Sequence, residues 1–384
     1  MTTLRGITWD HPRGIDPLRA ASDQYALSTG TTVSWSARPL ASFEDVPVQV
    51  LARDFDLLAI DHPSVGDAKR AGALLPLDDL LDAQTLLARS ADSVGPSQQS
   101  YQWEGQQWAV GIDAACMVSA LRSDLIDAES LPSDWKDVPR FVSSVGRDRV
   151  LLPANPTHLY CTLLTLVEAL SPEAARQPDG RPAWWGDGGF DLTAVHPALE
   201  LLRELVAVCH PDSLASNPIT VLDRLVDPQD DIAYVPLVFQ YVTYSMGCHA
   251  RARATFVNPP GGRGTLAGGV GLAISAFTED RHAAAQFAAY VSSAETQLGV
   301  FSRVGGQPVS RTAWQDPLIN RLSLDFFSGT FAAMESAFLR PRLVGYPSFQ
   351  STAGELLHAL LIDGATTEAI GRELGLLWRD RVEF

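Results

Sequence analysis

The chain has 384 residues, 46% of them hydrophobic and 19% charged, with a net charge of −16. That composition fits a folded core built as two domains or one large two-lobed unit, not a disordered chain. The acidic balance argues against nucleic acid or an anionic membrane as partner, because such a surface gains nothing from counterion release.

The first apolar run, Leu4–Trp9, reads as a strand and ends in Asp10-His11-Pro12. Residues Pro17–Thr29 carry apolar side chains at helical spacing up to Gly30, a C-terminal stop. Thr31–Ser36 is rich in β-branched residues and reads as the next strand. Phe43–Ala52 is expected as a short helix. The strand Phe55–Ile60 then ends in a second copy of the same tripeptide, Asp61-His62-Pro63, before a helical turn at Val65–Ala71. This βαβαβ order implies a parallel, doubly wound α/β sheet. If the two runs are neighbouring parallel strands, both triplets share one sheet edge, where open α/β sheets bind ligands. The plainer reading is a pair of strand-to-helix turns with Asp caps.

Further on, Tyr101–Val110 reads as a hairpin turning at Glu104-Gly105. Cys116–Arg122 and Arg149–Leu152 read as strands. Asn155 is placed to cap a long apolar helix, with Pro156 in its first turn. Helices are expected over Pro197–Cys209, Pro218–Leu225, Asp280–Val291, Leu318–Phe338, Gly354–Leu361 and Thr367–Trp378. Strands are expected at Asp231–Val235, Thr255–Val257 and Gly268–Ser275. A Gly/Pro/Trp-rich loop at Gln177–Asp191 contains Trp184 and Trp185.

Several stretches together resemble the extracellular solute-binding proteins of ABC importers, in the sugar-binding group that includes maltose-binding protein. They are Phe55-Asp56-Leu57-Leu58 with Gly72–Asp78, Gly105–Asp113, Gly268–Ser275 followed by Ala283–Phe287, and Ser292–Gln297 with Gly305-Gly306-Gln307-Pro308. They run in the family's order over nearly the whole chain. The resemblance implies a type II periplasmic-binding-protein fold. Two lobes, residues 1–111 plus 256–305 and residues 112–255 plus 306–384, would close on a ligand held between them. The crossings are expected near Gly111–Ala114, Ala254–Asn258 and Val304–Val309. The family's crossover proline is here Gly111.

On that fold the cleft is expected to present Trp9, Asp10, His11, Asp61, His62 and Asp113 from one side. The loop Asn155–His158, the region from Tyr234 to Tyr244 and Trp184-Trp185 are expected from the second lobe, the return strand brings Gly268 and Gly269, and Tyr346 is expected to reach the cleft as well. Carboxylates and amides hydrogen-bond hydroxyls, and aromatic faces stack on apolar sugar faces. The leading expectation is therefore a receptor for a small polar solute, monomeric, working with an ABC permease if exported. The alternative is a cytoplasmic enzyme in which His11, His62, Asp10 and Asp61 exchange protons with a substrate. The same four residues are metal-ligand types, but adjacent Asp-His pairs rarely point both side chains inward, so neither metal nor cofactor is expected.

The remaining signals carry less. The four cysteines, Cys116, Cys161, Cys209 and Cys248, form no CxxC. His158 reads as a capping or surface residue, and Arg303 as solvated. Gly261-Gly262-Arg263-Gly264 lacks the Lys-Ser/Thr of a phosphate loop, and no GxSxG occurs. No stretch of about 18 apolar residues suggests membrane insertion. Met1–Arg5 has neither a basic n-region nor an apolar h-region. As it stands the sequence is expected in the cytoplasm, and in the periplasm or outside the cell if a leader precedes it.

Overall fold

The computed structural model describes residues 2–39, 46–170, 185–186, 189–190, 192–247, 252–262 and 264–383. Strand β1 (Thr3–Trp9) leads through helix α1 (Pro12–Thr29) to β2 (Thr32–Arg38), and β3 (Leu57–Ile60) follows. β1 pairs in parallel with β2 along its length and with β3 at Gly6–Leu57 and Ile7–Leu58. The two Asp-His-Pro triplets thus leave one edge of one sheet. The expected Phe43–Ala52 helix is seen only as a turn at Val48–Leu51, and residues 40–45 lie outside the described set.

Helices α2 (Val65–Arg70) and α3 (Ala83–Ala91) come next. A two-residue hairpin turns at Glu104-Gly105, both with positive φ (46° and 77°), the turn whose twist suits a tight hairpin. It feeds β4 (Val110–Leu121), twelve residues buried along their whole length. The expected strand at Cys116–Arg122 is the second half of this longer one.

Helix α4 (Pro156–Leu170), then α5 (Leu192–Val208) and α6 (Pro218–Val226), precede β5 (Tyr234–Phe239) and β6 (Thr255–Val257). The expected strand at Arg149–Leu152 is a single bridge, Val150 to Tyr234. β7 (Ala267–Ile274) and α7 (Arg281–Val291) return the chain to the first strands. The helix expected over Leu318–Phe338 is two, α8 (Pro317–Leu322) and α9 (Phe326–Glu335), broken where Leu324 and Asp325 adopt positive φ. The chain ends in α10 (Tyr346–Ile362) and α11 (Thr367–Arg381).

The main sheet has seven strands in the order β6-β4-β7-β3-β1-β2, with β5 also on β4. It is mixed, because β7 runs antiparallel to both β3 and β4. β4 is shared: Val110–Cys116 pair with β7, and Met117–Leu121 pair with β5 and β6. The buried apolar side chains separate accordingly. Leu4, Ile15, Leu57, Val110, Ile112, Leu272 and Phe287 form one cluster, with Ile7, Ile60 and Tyr101 in its neighbour. Ala114, Cys116, Val238, Phe256 and Trp314 pack together, and Leu159, Leu202, Tyr346 and Trp378 form a further cluster. Phe256, in β6, sits edge-on to Phe326 in this second set, and the chain rejoins the first set along β7.

Candidate functional site

The first triplet caps α1, and the capping group is not the aspartate. His11 has extended backbone, and its Nδ1 accepts the Arg13 N–H at 3.1 Å, with Pro12 in the first turn where a missing N–H costs nothing. Asp10 is exposed. The His11 ring is half-buried and meets Tyr241 edge-on, centroids 4.8 Å apart.

Capping α1 in this way aims Arg13 inward. Its Nε donates to Asp113 Oδ2 at 2.9 Å, Nη2 to Asp113 Oδ1, and Nη1 to the Gln240 carbonyl at 2.8 Å. The guanidinium carbon stands 4.5 Å from the centre of the Tyr241 ring. Burial would lower the Arg13 pKa, but Asp113 outweighs it and raises it. One side chain so joins α1, β4 and the segment after β5.

The second triplet behaves differently. Asp61 Oδ1 accepts the His62 backbone N–H at 2.8 Å, and Oδ2 accepts Arg340 Nη2 at 2.7 Å. Burial would raise this carboxyl, but Arg340 and then His62 hold it down to about 2. His62 is fully buried, and its Nε2 accepts the Arg340 backbone N–H at 3.2 Å. That bond fixes the neutral ring with its proton on Nδ1, 3.2 Å from Asp61 Oδ1. Burial lowers His62 to about 4, against the pull of Asp61 and with help from Arg340 and Arg342.

These elements enclose a cleft with two chambers. The inner one, about 70 Å³, is walled by Trp9, Arg13, His158, Phe239, Tyr241 and Gly268-Gly269, among others. The outer one, about 650 Å³, is walled by polar side chains that include Arg38, Gln49, Asp67, Thr157, Gln350 and Glu355. Asp61 lines both. The inner chamber holds a few waters' worth of space and the outer one falls in the range of small-molecule sites.

Of the residues expected at the cleft, Trp9, Asp61, Gly268 and Gly269 line it. Asp113 stands behind Arg13. Asn155 accepts the His158 N–H at 3.2 Å and contacts His158 Nδ1 at 2.7 Å, so it orients a wall residue. Asp10, His11 and His62 are not among the residues lining either chamber. Tyr234 and Tyr346 are core residues: Tyr234 packs edge-on to Phe141, and Tyr346 lies between Phe349 and Trp378. β5 starts three residues later than its expected position, so its end, Phe239, reaches the cleft in place of Tyr234.

His158, expected at a surface or cap, is buried in the inner wall, and burial lowers its pKa to about 3. Cys116, Cys161 and Cys209 are buried and form no disulfide among the described residues, while Cys248 and Trp184 lie outside them. Arg13, Arg340 and Cys161 carry no expectation at the cleft from sequence, whereas Phe239 and Tyr241 fall within the expected region from Tyr234 to Tyr244. The only hint to Arg13 was its place one residue beyond a triplet, and to Arg340 the Arg340-Pro341-Arg342 run.

Gly269 carries part of the wall geometry. It has φ +113°, and a Cβ there would stand 2.3 Å from the Asp113 carbonyl oxygen. Gly269→Ala is expected to push β7 from β4 at the chamber wall and cost roughly 1–3 kcal/mol. Urea unfolding reads this, and a wild-type midpoint would contradict the account.

No protein-family model matches this sequence, and no curated protein matches it. Its fold does match solved structures. The maltose-bound MalE3 of T. maritima superposes with a TM-score of 0.80 at 16% identity, covering 98% of each chain. An ABC transporter solute-binding protein from Agrobacterium radiobacter K84, in complex with ribitol, gives 0.78 at 18% identity over 99% of this chain and 98% of that one. One from Thermotoga lettingae TMO, bound with α-D-tagatose, gives 0.78 at 13% identity over 98% and 100%. The architecture is therefore the two-lobed α/β fold of periplasmic solute-binding proteins.

Proposed function

We propose that this protein is a receptor for a small polar solute of the sugar or polyol kind, captured between two lobes and handed to an ABC permease. The carrying observation is the position of Asp61. Asp61 lines both chambers, with Trp9 and Tyr241 in the inner wall and amide, hydroxyl and carboxylate groups in the outer one. An ionised carboxylate accepts from paired hydroxyls, and aromatic faces cover the apolar faces of a sugar ring. The ligands of the similar structures, maltose, ribitol and tagatose, belong to this class. The lobe limits 1–111 plus 256–305 and 112–255 plus 306–384, export from the cytoplasm and a monomeric state are parts of the same proposal.

The acid–base alternative finds less support. A proton relay near neutrality needs an imidazole that titrates there and has a free nitrogen facing the substrate. His62 is neutral down to about pH 4 with its Nε2 lone pair engaged by Arg340, and His11 Nδ1 is engaged by Arg13.

A thermal-shift screen with maltose, ribitol, tagatose and related sugars and polyols tests the proposal, with hits checked for chemical change by mass spectrometry. A ligand at about 100 times its Kd is expected to stabilise the protein by about 2.7 kcal/mol and to be recovered unaltered. Asp61→Asn is expected to weaken that ligand at least tenfold, about 1.4 kcal/mol, by calorimetric titration. Turnover of a hit, or no hit across the class, would overturn the reading.

A further inference from the structure

Gly111 stands where the resembled family carries a crossover proline. A proline has no N–H. The Gly111 N–H donates to Gln98 Oε1 at 2.8 Å, and the absence of a side chain leaves room for the carboxamide: a Cβ on Gly111 would stand 3.0 Å from Val309 Cγ2 and 3.3 Å from Gln98 Oε1. The bond decides which way the Gln98 amide faces, since the oxygen must take the donor. Its Nε2 is left buried with no acceptor among the described residues, on a side chain only 2% exposed. A buried donor without a partner is costly, and native structures rarely leave one.

Gln98 and Gly111 line a cavity of about 330 Å³ that shares no residue with the two cleft chambers. Its other walls are Ala88, Arg89 and Asp92 at the end of α3, Ser292 and Ala294 beyond α7, and Val309, Ser310 and Thr312. The cavity therefore lies where the chain passes between the two sets of cores: Val110 and Ile112 belong to one, Ala114 and Val309 to the other.

The charges in this cavity are not equivalent. The Asp92 carboxylate is already committed: Oδ1 accepts the Thr312 N–H at 3.0 Å and its hydroxyl at 2.7 Å, and Oδ2 accepts the Ser310 hydroxyl. Arg89 donates Nε to Ser292 Oγ and Nη2 to the Ala289 carbonyl, both at 3.0 Å, which leaves Nη1 without a hydrogen-bond acceptor among the described residues, although Asp92 and Asp82 act on it electrostatically. What remains unsatisfied is donors: Nη1 of a fixed guanidinium and Nε2 of a buried amide. A planar group with two acceptor oxygens suits such a pair.

We propose that this cavity is a second binding site, separate from the interlobe cleft, that takes a small carboxylate between Arg89 and Gln98. One carboxylate oxygen accepts from Arg89 Nη1, the other from Gln98 Nε2, and Ser292, Ser310 and Thr312 surround the rest of the molecule.

Calorimetric titration of the full chain with sodium acetate, malonate and succinate, against sodium chloride at equal ionic strength, tests the site. At least one of the three is expected to bind with one-to-one stoichiometry and a Kd of about 1 mM or tighter. Gln98→Glu keeps an oxygen for the Gly111 N–H but turns the donor into a carboxylate, and it is expected to abolish that binding. Arg89→Met, on the outer helix α3, leaves the buried amide in place and is expected to weaken binding about tenfold or more. Its thermal melt at the wild-type position would show that folding is not the cause. The sugar or polyol that binds the cleft serves as control, with unchanged affinity in Arg89→Met. No saturable binding of any of the three anions, or binding that survives in Arg89→Met, overturns the second site and leaves the cleft reading untouched.

Discussion

Arg13→Met is expected to destabilise the protein by about 3–5 kcal/mol, the cost of leaving a buried carboxylate without its partner. Arg13 is 5% exposed and Asp113 2% exposed, so both charges are held largely by each other. Removing the guanidinium deprives Asp113 of two hydrogen bonds, the Gln240 carbonyl of one, and the Tyr241 ring of its cation. Asp113→Asn is expected to cost less, because an amide oxygen still accepts from Arg13. The double variant Arg13→Met/Asp113→Leu is expected to recover much of the loss, since an apolar pair of similar volume needs no counter-charge. Urea unfolding of Arg13→Met, Asp113→Leu, their double variant and the wild type gives the coupling energy. If Arg13→Met matched wild type within about 0.5 kcal/mol, the pair would not be holding α1 to β4.

The local geometry here was legible in sequence wherever one short stretch decides it. Gly105 marks a hairpin by its tolerance of positive φ, Asn155-Pro156 starts a helix, and the two Asp-His-Pro triplets do leave adjacent parallel strands. The solute-binding fold was legible too, because its motifs recur in order even though no single one is specific. The site was legible only in part. A triplet read from sequence does not say which of its members turns inward: Trp9 goes into the wall, Asp10 to solvent, and His11 to its own helix cap. Arg340 is far along the chain from Asp61, and only the packing of the Phe338–Gly345 segment against α2 brings them together. Tyr346 looks like a cleft residue beside Arg340-Pro341-Arg342, yet it opens α10 and turns into the core. The break between α8 and α9 had no signal, for it falls on Leu324 and Asp325 with no glycine or proline to announce a positive φ.

Acid is expected to destabilise this protein well before its carboxylates titrate. Burial holds His62 at about 4 and His158 at about 3, against an ordinary value of 6.5. Between those values and about 6.5 the unfolded chain binds protons that the folded chain refuses, so stability falls as pH falls through that window. At 1.36 kcal/mol per unit the His62 contribution is about 3 kcal/mol, and that of His158 is somewhat larger. Asp61 acts lower: held at about 2 from an ordinary 3.8, it stabilises the fold above about pH 4 and loses that effect as pH drops towards 2. Urea unfolding at pH 7.5, 6, 5 and 4 is expected to show most of the loss below pH 6. His62→Gln, which can still accept the Arg340 N–H, is expected to lower stability at neutral pH while removing one proton's share of the slope. A wild-type curve flat from pH 7 to 4.5, or a His62→Gln curve parallel to it, would mean that His62 is not the neutral, Arg340-bound residue that locks the second triplet to the wall of the cleft.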